Sequence, residues 1–211
     1  MLETKRVRKS AAHRGQEILA AAEKLFIERG FAATSIDAIV ERAGGSKATV
    51  YAQFGSKEGI LEAIVGSASE DLSAMLHTIP YDAPIDTALR ALGRAILNFI
   101  LEPDHIALYR VVAGESGQRP DLGDIFYRSC PQVGMRLVTD YLRDAAARGL
   151  IDAPDPERLA NFFIGTLRGD FHLRALFNST RIMTAREIDQ HLDFVIPTFL
   201  KACRREDARS D

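Results

Sequence analysis

Apolar residues recur at three- and four-residue intervals along nearly the whole chain, the period of helices that bury one face. From Ala11 to Arg29, Ile18, Ala21, Ala22, Leu25 and Phe26 form one stripe, and Gly30 supplies the stop. Thr34 or Ser35 is placed to cap a short helix through Ala43, with Ile36, Ile39 and Val40 inward. Gly44-Gly45 breaks it, Ser46 caps a third helix to about Phe54, and Gly55 ends that one. Ser56 caps a fourth from Lys57 to about His77. Past the two prolines at 80 and 84, striped segments run over about Ile85–Leu101, His105–Gly114, Asp121–Arg148, Asp155–Phe177 and Thr184–Arg205. Pro131 should kink or break the third of these, one option being a new helix that starts at Pro131, and Pro197 should kink the last. No alternating run reads as a strand. The pattern predicts an all-α protein. Its N-terminal three-helix helix-turn-helix domain spans 1–58 and a helical domain spans 59–205, with a frayed tail over 206–211.

Composition adds little until it is split. The net charge is −2, yet up to Glu58 ten Lys and Arg stand against seven Asp and Glu, and the remainder carries 17 against 22. A basic front end on an acidic body gives one face an affinity for polyanions. Cys130 and Cys203 fit neither a disulfide framework nor a metal spacing, so a reducing cytoplasmic setting is the default. No apolar run follows the basic N-terminus as in a signal peptide, and none is long enough to span a membrane.

Three helices with a tight glycine-containing turn before the last suggest a module whose third helix enters the major groove of double-stranded DNA. Val50 and Phe54, four apart, would grip the interior, leaving Lys47, Ala48, Thr49, Tyr51, Ala52 and Gln53 outward. Ser46, Lys47 and Thr49 can donate to phosphates, Tyr51 offers a ring and a hydroxyl, and Gln53 suits a base edge or phosphate. Lys57 opposes its own helix dipole, which makes sense if its partner is a phosphate. The residues alone leave a solvated surface as the alternative.

The stretch Gly30-Phe31, Thr34-Ser35-Ile36, Ile39, Ala43-Gly44, Ser46-Lys47, Val50-Tyr51, Phe54 and Ser56-Lys57-Glu58 closely resembles the DNA-binding domain of TetR/AcrR regulators. The resemblance, over about Gln16 to Leu61, implies base- or backbone-reading positions at Lys47, Ala48, Tyr51 and Gln53. It implies phosphate contacts from Ser35, Thr49, Tyr51 and Lys57. Gly45 replaces the usual Val, Ala48 a common Gly, and Ala52-Gln53 frequent aromatic or His residues. These departures bear on the operator sequence rather than on binding. Arg6, Arg8 and Lys9, within an arm over 1–12, and Arg14 just past it resemble the basic arm that some members lay along the minor groove, or they form a solubilising tail.

The segment from Asp155 to Phe199 is similar to the AefR-like subgroup, which implies a ligand-binding and dimerising body. One recognition helix covers few base pairs, so a homodimer on a palindromic operator is expected. Phe162, Phe163, Leu167, Phe171 and Leu176, then Leu192, Phe194, Val195 and Phe199, exceed one face. They would close an isologous interface through the last two long helices, or else fill the chain's own core. Candidate ligand residues are Phe99, Tyr109, Phe126, Tyr127, Met135 and Phe163, with His105, Arg110, Arg168 and His172 as polar handles. Arg168 and Asp170 are expected to form a structural ion pair. Glu187 and His191, four apart, are expected to make a surface contact rather than hold a metal.

Gly114-Glu115-Ser116-Gly117 does not complete a nucleophile elbow, because position 118 is Gln. No catalytic residue, metal site or cofactor is expected. The implied function is a repressor of a transport or detoxification operon, released from DNA by a small hydrophobic or cationic effector. The alternative is a DNA-binding regulator without a ligand, acting structurally or through protein partners.

Overall fold

The computed structural model describes residues 11–80, 82–177 and 183–203, and these fold into helices with no strand among them. Arg6, Arg8 and Lys9 of the expected basic arm, and the 206–211 tail, lie outside the described residues. The first four helices are α1 (Ala11–Arg29), α2 (Ile36–Ala43), α3 (Lys47–Phe54) and α4 (Lys57–His77). Their starts follow from local chemistry. The Ser35 hydroxyl accepts from the Ala38 amide at 3.2 Å, and that of Ser46 from Thr49 at 3.2 Å, each satisfying an amide that the first helical turn leaves unpaired.

Then come α5 (Ile85–Ile100), α6 (Pro103–Glu115), α7 (Pro120–Ser129), α8 (Pro131–Ala147), α9 (Pro156–Arg168), α10 (Phe171–Leu176) and α11 (Ala185–Ala202). Pro131 does start a new helix, at the position where its missing N–H is no loss. Pro197 stays inside α11. The expected single helix over 155–177 is broken: Gly169 takes φ +47, outside helical space, and α10 restarts after Asp170.

The chain divides into two compact units. One runs up to Val65 and takes back Val111–Phe126; the other comprises Gly66–Arg110 and the chain from Tyr127 onward. In the first unit, Ile18, Leu25, Phe26, Phe31, Ile39, Val50, Ile60 and Leu61 are fully buried, and the returning segment adds buried Val112 and Leu122. Phe26 and Phe31 pack their rings 5.0 Å apart, and the buried Thr34 hydroxyl donates to the Gly30 carbonyl at 2.8 Å. In the second unit, α5, α8, α9 and α11 enclose Leu89, Leu92, Leu97, Val138, Leu142, Phe163, Leu167, Leu192, Val195 and Phe199. Arg90–Asp193 at 2.8 Å and Arg94–Asp189 tie α5 to α11 at the rim.

Candidate nucleic-acid interface and effector site

The paired glycines after α2 adopt φ +73 and +110, a turn that a Val at position 45 would strain. The turn is closed by Arg14, whose side chain lies against both glycines while its guanidinium meets Glu17 at 3.3 Å. From that turn α3 presents two unlike faces. Val50 is 1% exposed and Phe54 is half-buried, whereas Lys47, Ala48, Ala52 and Gln53 are exposed and Tyr51 is 52% exposed. Ser35 and Ser46 are exposed caps, and the Ser46 and Thr49 hydroxyls share a hydrogen bond of 3.0 Å. Lys47 meets Asp37 at 2.7 Å, and this bond raises its pKa. Such an exposed pair is weak and readily exchanged for a phosphate. The Gln53 amide donates to the Ala11 carbonyl at 3.1 Å, so α3 is braced by the start of α1.

Lys57 is placed differently from the expectation. Its ammonium turns inward and donates to the carbonyls of Phe31 at 2.7 Å and Thr34 at 2.8 Å, with the Phe31 ring 4.4 Å below it. Burial, chiefly, lowers its pKa. The unfavourable place in its own helix dipole is offset by carbonyls of the α1–α2 turn, with no phosphate required.

Three residues of this unit carry no local signal of their role in the sequence. Glu115 accepts from the Ala32 amide at 3.0 Å, and Arg119 meets Glu58 at 2.9 Å and Asp121 at 2.7 Å while lying over the Phe31 ring. The Arg119 hydrogen bond, first among the causes, holds the Glu58 carboxyl below its ordinary range. Both partners lie more than sixty residues from Glu58 or Ala32, which hides them from local pattern. Gly59 is the third. A Cβ there would stand 1.9 Å from the Phe54 carbonyl oxygen, so only glycine lets α3 turn into α4 this tightly.

The ten effector candidates do not form one set. Phe163 is fully buried, with its ring 4.7 Å from Phe199, and Met135 packs against the same core. Phe126 belongs to the first unit, whereas Tyr127 is exposed. Phe99 is buried with its ring 4.3 Å from His105, whose Nδ1 donates to the Phe99 carbonyl at 2.7 Å. Arg110 donates to the carbonyls of Leu176 and Ala175, ending α10. Two handles are thus occupied by backbone. Of the other two, His172 meets the Tyr109 ring at its edge, 5.3 Å between centroids, and the charge of Arg168 bears on both His172 and Cys130. Asp170 pairs with Arg174 instead of Arg168, because Gly169 breaks the helix between Arg168 and Asp170 and Arg174 stands one turn on in α10. Burial, with the Arg168 charge second, lowers the His172 pKa.

Among the described residues no acidic or cysteine cluster could hold a metal. Glu187 closes a capping box with Thr184, and His191 donates to the Leu167 carbonyl at 3.0 Å. Of the nine residues expected at an interface, Phe163, Leu167, Leu192, Val195 and Phe199 fill the chain's own core, and Phe171 and Leu176 pack half-buried against it. Phe162 and Phe194 remain outside, 50% and 69% exposed.

Residues 18–64 match the family described as bacterial regulatory proteins, tetR family, and residues 87–205 match the AefR-like transcriptional repressor, C-terminal domain. Among solved structures, the Flavonoid-responsive Regulator FrrA is 34% identical, with a TM-score of 0.79 over 92% of this chain and 99% of that one. The uncharacterized HTH-type transcriptional regulator YvkB of Bacillus subtilis is 27% identical over 74% of this chain and 80% of its own length. The HTH-type transcriptional repressor ComR of Escherichia coli is 29% identical over 70% and 73%. No described helix is long and apolar enough to cross a membrane.

Proposed function

Because this chain belongs to the TetR family of bacterial regulatory proteins, with an AefR-like C-terminal domain, we propose that it is a ligand-released repressor. A two-fold dimer holds a palindromic operator that controls a neighbouring transport or detoxification operon. The observation that carries this reading is the division of α3 into a gripped face, Val50 and Phe54, and an outward face with Lys47, Ala48, Thr49 and Tyr51. Small and polar side chains facing out are what a helix needs to lie in the major groove. Ser35 and Ser46, the exposed caps of α2 and α3, are offered as phosphate donors, and Gln53 reaches the groove by leaving the Ala11 carbonyl. Lys57 is left out of the contact set, since its donors are engaged within the protein.

The similarity to a flavonoid-responsive regulator favours a small-molecule effector over a regulator that answers only to protein partners. The effector binds in the second unit. It shifts α4, a continuous helix whose first turns belong to the DNA-binding unit and whose later turns belong to the other. The paired recognition helices then leave their spacing of about 34–36 Å, one turn of DNA, and the dimer is released. Phe162 and Phe194, left uncovered on α9 and α11, form the centre of the dimer contact.

The test has two steps. Genomic fragments retained by the purified protein at low salt should contain an inverted repeat, and a library of apolar compounds should include some that release it. A protein that ignores genomic DNA ends the reading, and one held on its operator by every compound ends the ligand-released part.

A further inference from the structure

A guanidinium with a buried, unmatched donor is costly, and the second unit contains one. The Arg168 Nε is sealed from solvent and has no hydrogen-bond acceptor. Among the described residues no carboxylate pairs with it: Asp170 is taken by Arg174, while Asp189 and Asp193 are taken by Arg94 and Arg90. A buried donor left unmatched forfeits its hydration with nothing in return, and a charged group loses most. The chain sets this donor at the end of α9, where Gly169 breaks the helix and brings His172 round on α10. Tyr109 on α6 meets the edge of the His172 ring, and Cys130 at the start of α8 feels the same positive charge.

We infer that Arg168, His172 and Tyr109 recognise the anionic oxygen of a small organic acid, a carboxylate or an acidic phenol on an apolar body. The inference rests on the effector reading above and narrows it. The unmet need at this point is an acceptor, and an ionised oxygen bonds guanidinium more strongly than a neutral one. The same charge, with no acid to offset it, repels a cation. Of the hydrophobic or cationic effectors that the sequence left open, the cationic ones are therefore set aside, and the effector is an acid on an apolar body. Tyr109 and His172 supply an aromatic wall and polar hydrogen for the ring or chain that carries the oxygen.

Calorimetry on the full-length dimer at pH 8, without DNA, tests this with two matched pairs: decanoate against methyl decanoate, and 7-hydroxyflavone against 7-methoxyflavone. The expected result is at least tenfold tighter binding of one acid than of its neutral partner. Arg168→Met should abolish that difference, and Arg168→Lys should keep part of it. The pair that responds separates the carboxylate from the phenol. Equal binding within both pairs, binding of none of the four, or discrimination that survives Arg168→Met overturns the inference. A second readout needs no ligand. The apo Arg168→Met protein should melt at or above the wild-type temperature, because the lost donor had no partner; a fall of more than about 5 °C would make Arg168 a structural residue and overturn it as well. Binding of the acid without release from the operator would refute the release mechanism and leave this site standing.

Discussion

At Lys57 a single ammonium gathers two short carbonyl contacts from the turn between α1 and α2 and covers the Phe31 ring. Hydrogen bonds to a charged group contribute about 1.5–3 kcal/mol. Lys57→Met should therefore lower unfolding free energy by about 2 kcal/mol in chemical denaturation. A phosphate-bound lysine would predict something else, a fall of about one unit in the slope of log affinity against log salt. That slope should stay unchanged. Tyr51 predicts the reverse pattern. It is half exposed on the outward face, so Tyr51→Ala should leave the melting temperature alone and cost about 1–3 kcal/mol in operator binding. Wild-type operator affinity in the Tyr51 variant would mean that this face does not meet DNA. The thiols give a third residue-level expectation. Burial pushes Cys203 up to about 11 and raises Cys130 too, so neither forms much thiolate at neutral pH. Labelling of the folded protein by a thiol reagent at pH 7 should be slow, and rapid reaction of Cys130 would overturn this.

At the scale of elements, the joints matter more than the helices. Gly59 permits α3 to turn into α4 with the Phe54 carbonyl where a side chain would be. Gly59→Ala should therefore unseat α3 and reduce both stability and operator affinity, read by melting and by fluorescence anisotropy. A variant with wild-type values for both would show that the turn can relax. The other joint is held by Arg119, Glu58 and Asp121 against Phe31. Glu58 is ionised more readily in the folded protein than its ordinary 4.5, so its contribution is present above that value. It is lost as pH falls through the lowered one. Glu58→Gln should flatten this part of the acid limb of the stability curve. Period and caps made the first four helices readable, because an amphipathic stripe and a Ser at the N-cap are local signals. The break at Gly169 was not readable, since a lone glycine inside a striped segment is usually tolerated. Nor was the inward turn of Lys57, whose partners lie more than twenty residues earlier in the chain. The face of α3 was legible by spacing; the supports from Arg14, Glu115 and Arg119 were not, because each depends on tertiary proximity.

At the scale of the whole molecule, a regulator that reads a palindrome needs a two-fold partner, and the exposed surface says where to look. Of the nine apolar residues that exceed one face of the last long helices, the core absorbs seven wholly or in part, leaving Phe162 and Phe194. Fully burying a phenylalanine contributes about 1.5–3 kcal/mol, and an isologous contact counts each residue twice. The same symmetry makes a charge unusually disruptive. Phe194→Glu would place two carboxylates in one desolvated contact, where neither has a partner. Sedimentation should then report a monomer at micromolar concentration, and operator affinity should fall at least a hundredfold because each monomer reads one half-site. Phe177 supplies the comparison, being 78% exposed just past α10 and on neither α9 nor α11. Phe177→Glu should remain a dimer. If Phe194→Glu stayed dimeric while Phe177→Glu dissociated, the chain would pair through a different surface, and the geometry of its two recognition helices would have to be rebuilt around that one.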